Sequence, residues 1–114
     1  LRGLANGKVV EISRTTAGAA PAVEEIILDA DATTANAADG TIFKTSANTQ
    51  ATEFTDILNA IPGEKYTLKG GSSANATTIA SGGKFLLDGA MTLNDGSFIV
   101  LEYNGQRFIE YSRG

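Results

Sequence analysis

The sequence predicts an all-β module: a short-stranded β-solenoid-like stack or a β-sandwich, with at most one short helix near residues 52–61. Three observations carry this. Gly, Ala, Thr, Ser and Asn are abundant and only two prolines interrupt the chain, Pro21 and Pro62. Short runs of β-branched and aromatic residues recur along it, and such residues suit a pleated, half-buried surface. Between these runs stand Gly-Gly, Asp-Gly and Asn-Gly steps, which supply the positive φ that tight turns need. The 114 residues amount to one domain, and 42% hydrophobic against 19% charged side chains are enough for a core.

Taken in order, KVVEIS (8–13) reads as a strand and TTAGAAPA (15–22) as a small-residue linker broken by Gly18 and Pro21. Residues 1–22 are therefore set apart from a single β domain over 23–114. VEEIILD (23–29) reads as a strand, and the small, polar ADATTANAADG (30–40) as a loop. TIFKTS (41–46) alternates as a strand with one buried face. Phe54, Ile57, Leu58 and Ile61 fall at helical spacing, with Thr52 as a cap and Pro62-Gly63 as a stop. Ten residues are marginal for a helix without tertiary support, so a short helix and an irregular turn both stand. Beyond Gly63 come KYTLK (65–69), TTIAS (77–81), KFLLD (84–88), MTLND (91–95), SFIVLEY (97–103) and QRFIEYS (106–112). Short strands at this spacing fit a sandwich, a barrel or a solenoid.

Composition narrows function mainly by exclusion. The chain has no His, Cys or Trp, so it holds no Ser-His-Asp triad, cysteine nucleophile or zinc finger. A formal charge of −4 without a basic run disfavours nucleic acid. No apolar run approaches the roughly 20 residues that span a bilayer as a helix, and the first residues carry no signal-peptide pattern. The missing initiator Met fits a processed product or an excised module.

Two internal repeats stand out. TIASGGKFLL (78–87) resembles TLNDGSFIV (92–100), with Thr78 and Thr92 fourteen residues apart. Such a spacing suits stacked coils or paired meander strands. NGKVVEISR (6–14) matches NGQRFIEYSR (104–113): Glu11, Ser13 and Arg14 precede Glu110, Ser112 and Arg113 by 99 positions each. The apolar residues Val10 and Ile12 in one copy, and Ile109 and Tyr111 in the other, share a strand face. The segment 8–13 is expected to add to a sheet edge, in its own domain or in a neighbour, because an unpaired apolar edge invites aggregation.

The pieces FTDILNAIPGEKYTLKGG, ATTIASGGKFLLDGAMTL and NDGSFIVLEYNGQRFIEYSR fill residues 54–113 almost completely. In their order of turn, strand, Thr-Thr-Ile step, Gly-rich corner and Ser-Arg ending, residues 51–113 resemble the C-terminal closing segment of phage tail-spike and fibre proteins with right-handed β-helices. That family usually has Trp where this chain has Phe108. The resemblance implies a β-helical stack and a structural role in a virion or surface fibre, of tail-fibre or capsid-decoration type. It implies self-association, as a homotrimer, and contact with other virion proteins. Binding of a carbohydrate or host-surface glycan is the alternative. Location on a virion or extracellular surface follows from the same resemblance.

No enzymatic activity, cofactor, metal, nucleic acid or membrane partner is expected. Asp88, Asp95, Glu102 and Glu110 could in principle form an acid–base pair, but solvated turn and strand-face roles explain them. Asp29, Asp31, Asn36 and Asp39 form an oxygen-rich loop, yet Thr33 and Thr34 break the calcium-loop pattern. Gly70-Gly71 and Gly82-Gly83 read as corners, since no phosphate-loop motif surrounds them. The self-association residues expected from strand spacing are Val10, Ile12, Phe108 and Tyr111, and Arg14 and Arg113, which end matching strands beside Glu11 and Glu110, are expected to form an ion pair across strands.

Overall fold

The computed structural model describes residues 24–114. The expected strand 8–13, with Val10 and Ile12, and the whole of the expected linker 15–22 lie outside the described residues. The strands are β1 (Glu25–Ile27), β2 (Thr34–Asn36), β3 (Ile42–Lys44), β4 (Asp56–Leu58), β5 (Lys65–Lys69), β6 (Thr77–Ile79), β7 (Phe85–Leu86), β8 (Met91–Leu93), β9 (Phe98–Tyr103) and β10 (Phe108–Arg113). The fold is all-β, and no helix occurs among the described residues.

Six strands form one sheet in the order β1-β3-β5-β9-β10-β7, while β2 pairs with β4 and β6 with β8. The pairs β1/β3, β3/β5 and β2/β4 are parallel. A tight hairpin cannot join parallel neighbours, and here each connection visits a second sheet: β2 lies between β1 and β3 in sequence, β4 between β3 and β5. Glu25 faces Ile42, and Ile42 in turn faces Thr67. On the second sheet Thr34 faces Asp56. The direction then reverses, because β9 runs antiparallel to β5 and β10 antiparallel to β9.

This register lines up the core. Ile26, Phe43, Leu68 and Ile99 are successive partners across β1, β3, β5 and β9, and the last three are fully buried. Tyr66 faces Leu101 in the same buried layer. Phe108 closes it, its ring stacked on Tyr103 (centroids 4.5 Å apart) and Phe85 (5.3 Å) and met edge-on by Tyr66 (6.4 Å).

Two sequence expectations need correction. The loop expected over 30–40 contains β2, and the helix allowed at 52–61 is absent, its place taken by an extended stretch and β4. Thr52 and Phe54 are buried while Glu53 and Thr55 are exposed, a period of two. The amides of Phe54 and Thr55 donate to the Thr78 and Thr33 carbonyls at 2.7 Å. Hydrogen bonds that a helix would have closed locally are thus made to neighbouring strands. Ile57 packs inward against Ala35, its neighbour in register, leaving Leu58 and Ile61 outside.

Polar side chains tie the corners together. Asn48 accepts from the Asp31 amide (2.6 Å) and donates to the Asn75 carbonyl (2.8 Å) and Thr77 Oγ1 (2.9 Å). The Asn75 side chain donates back to the Asn48 carbonyl (3.0 Å). Gly71 lies where a Cβ would run into the Thr45 carbonyl oxygen, so close backbone approach requires glycine there.

Candidate interaction surface

The side chains available for function follow from strand alternation in the six-stranded sheet. Because Tyr66, Leu68, Ile99, Leu101 and Phe108 point inward, Lys65, Thr67, Val100, Glu102 and Ile109 point outward. The pairing places Leu86, Ile109, Glu102 and Lys65 in one row across β7, β10, β9 and β5. Leu86 is 39% exposed and Ile109 41%. Tyr111, 66% exposed, stands beside this row, with the Lys65 ammonium 4.9 Å from its ring centre. A hollow of about 350 Å³ opens between Glu102, Asn104, Ile109, Glu110 and Tyr111. Single exposed apolar residues are ordinary, whereas adjacent ones on a rigid sheet make a contact surface.

The ladder register shifts between Glu110 and Ser112, a bulge at Tyr111. In a regular strand residues three apart face opposite sides; the extra residue brings Glu110 and Arg113 to the same side. Arg113 Nε and Nη2 donate to the two carboxylate oxygens of Glu110 at 2.9 and 2.7 Å. Arg113 Nη2 also donates to the Gly89 carbonyl (2.7 Å), and the Asp88 amide donates to Glu110 (2.8 Å). The Arg113 hydrogen bonds hold the Glu110 carboxyl below the usual range, helped by the Asp88 amide. The ion pair expected across strands is instead made within β10, between Glu110 and Arg113, and the Arg113 bond to Gly89 fastens this strand to the turn after β7. At the other end of β10, Asn104 Oδ1 accepts from the amides of Gln106 (2.9 Å) and Arg107 (2.7 Å), and Gly105 takes φ of +97°.

Of the expected self-association residues, Tyr111 is on the outer face. Phe108 has no exposed surface and is spent in the core, because its neighbours Tyr66, Phe85 and Tyr103 close around the ring. Sequence reasoning put Ile109 on the same strand face as Tyr111 without selecting it. Leu86 and Lys65 were not legible, since only the pairing of distant strands brings them alongside.

The oxygen-rich loop is bound up with its neighbour. The Asp31 carboxylate accepts from the Thr49 hydroxyl (2.6 Å) and amide (2.8 Å), which lower its pKa in that order. Among the described residues no group of three or more acidic side chains converges as metal ligands would. Family models, curated proteins and solved structures were all compared with the chain, and none matches it.

Proposed function

We propose that the chain is a structural module of a virion or surface fibre, built as stacked coils with an antiparallel closure, that self-associates through the outer face of β7, β9 and β10. The observation that carries this reading is the row of Leu86 and Ile109 with Tyr111 beside it. These are apolar side chains exposed on adjacent strands that are held from behind by a packed core. The parallel pairs joined by circuits through a second sheet, and the antiparallel last strands, fit the fibre-type closing segment that residues 51–113 resemble. A homotrimer is the expected assembly. A domain of this size buries only about two-thirds of its surface on folding, so association adds stability.

Sedimentation velocity at micromolar concentration tests the reading. The wild type should sediment as a trimer, and Ile109→Asp with Tyr111→Asp as a monomer with an unchanged circular dichroism spectrum. A wild-type monomer would overturn it. A second reading, a glycan-binding module of the same particle, is favoured by Tyr111 standing exposed at a hollow edged by Asn104 and Glu102. Such a ring can stack on a sugar face. Glycan-array binding that disappears in Tyr111→Ala would decide for that reading.

A further inference from the structure

The loop that joins β9 to β10 holds the one Asn-Gly step among the described residues, Asn104-Gly105; the chain's other such step, Asn6-Gly7, lies outside them. Asn36, Asn48, Asn59, Asn75 and Asn94 are each followed by a residue with a Cβ, which crowds the approach of the next backbone nitrogen to the asparagine side chain. Glycine leaves that approach open. Asn104 and Gly105 are both exposed, and Gly105 takes φ of +97°. The loop is nevertheless fixed. The Asn104 amide donates to the Arg107 carbonyl and the Tyr103 hydroxyl to the Gly105 carbonyl, each at 3.0 Å. Asn104 Oδ1 accepts from the backbone amides of Gln106 (2.9 Å) and Arg107 (2.7 Å). Two backbone N–H groups on one carbonyl oxygen polarise its carbon and stabilise negative charge that develops on the oxygen under attack.

We propose that Asn104 is a self-modification site, where the folded hairpin converts its own amide to a carboxylate. Hydroxide takes the proton of the Gly105 amide, and that nitrogen attacks Asn104 Cγ. As the new C–N bond forms, the carbonyl electron pair moves onto Oδ1, where the Gln106 and Arg107 amides hold it. The pair then returns and expels the side-chain nitrogen, which takes a proton from water and leaves as ammonia, restoring the hydroxide. A cyclic imide remains. Water opens it at one of two bonds: cleavage between the Gly105 nitrogen and Cγ gives aspartate, and cleavage between that nitrogen and the main-chain carbonyl carbon gives isoaspartate. The sum is water in and ammonia out, with no change of oxidation state. The aspartate keeps the acceptor that Gln106 and Arg107 use, so the hairpin stands. The isoaspartate adds a carbon to the backbone between Tyr103 and Phe108, which face each other in the ladder. Asn104 borders the hollow that Glu102 and Glu110 also line, so the aspartate adds a carboxylate to two already there. On the self-association reading above, that charge loosens the assembly, because like charges brought together at an interface oppose it.

The test ages the folded full-length protein in mildly alkaline buffer made with oxygen-18 water, then maps peptides by mass spectrometry. Asn104 should gain the mass of the amide-to-acid change, with the heavy oxygen in the product, at least about tenfold faster than Asn36, Asn48, Asn59, Asn75 or Asn94. Asn104→Gln, whose longer side chain closes the ring poorly, should remove the signal from that peptide. Repeating the ageing in low urea, below the unfolding transition, identifies the reacting state. A rate that stays flat shows the native hairpin reacting. A rate that climbs with the unfolded population shows the fold protecting Asn104 and overturns the proposal. Conversion no faster than at the other five asparagines overturns it too. The consequence for assembly is measured separately, by sedimentation of Asn104→Asp, which should dissociate at about tenfold or more higher concentration than wild type. Conversion at Asn104 without that shift upholds the modification site and counts against the face as the association surface. Absence of conversion removes the site and leaves the face to its own sedimentation test.

Discussion

Replacing Asn48 by Ala removes a side chain that joins three successive passes of the chain. Asn48 is only 6% exposed, and its amide makes one bond to the Asp31 amide and two to the Asn75 carbonyl and Thr77 Oγ1. Two of these bonds are worth about 1 kcal/mol net each, and the loss of the third leaves the buried Thr77 hydroxyl unpaired, which costs about 1–3 kcal/mol instead. Thr77 is 1% exposed, so its hydroxyl has little access to water once Asn48 is gone. The loss should total about 3–5 kcal/mol, a large part of the roughly 5–15 kcal/mol that holds a domain together. At about 4–8 °C per kcal/mol for a domain of this size, the melting temperature should fall by at least about 12 °C. Urea unfolding followed by far-ultraviolet circular dichroism measures the free energy directly. Asn48→Asp should not rescue it, because a carboxylate keeps the acceptor for Asp31 but loses both donors and faces the Asn75 carbonyl. A loss below about 1 kcal/mol in Asn48→Ala would refute the idea that this corner ties the passes together.

Other perturbations probe other parts of the fold. Gly71→Ala should destabilise by about 2–4 kcal/mol in urea titrations, since its methyl meets the Thr45 carbonyl and the backbone must move apart. Phe108→Ala should cost about 3–5 kcal/mol by the same measurement, for the cavity it leaves among Tyr66, Phe85 and Tyr103. The carboxyls of Glu110 and Asp31 sit lower in the folded chain than in the unfolded one. Their stabilisation is therefore complete above the unfolded values near pH 4 and is lost as pH falls through the folded ones. Thermal melts should be flat between about pH 6 and 8 and decline below about pH 4, the decline shrinking in Glu110→Gln.

What the sequence made legible was local. The strands after Gly63 could be read because alternation such as Tyr66 and Leu68 against Lys65, Thr67 and Lys69 lies within one short run, with glycine steps between strands. β2 and β4 were missed for one shared reason. Thr34-Ala35-Asn36 has no apolar alternation of its own, and Asp56-Ile57-Leu58 sits in a spacing that also fits a helix. Each becomes a strand only by pairing with the other, and the two are far apart along the chain. The candidate interaction surface divides the same way. Tyr111 and Ile109 share a face within one strand, whereas Leu86 and Lys65 join them through ladders that no short window contains.

The position of Phe108 in sequence after every ring that surrounds it bears on how the protein is made. Synthesis runs from the N-terminus, so every strand up to β9 leaves the ribosome before the ring that Tyr66, Phe85 and Tyr103 enclose. Until β10 emerges, Tyr103 and Phe85 face an unfilled space and one edge of β9 lacks the partner it has in the fold. A nascent chain paused after Tyr103 is then a sticky intermediate, open to pairing with other nascent chains on the same message. The Glu110–Arg113 clip latches β10 to the turn at Gly89 and makes the emergence of β10 the event that locks the core.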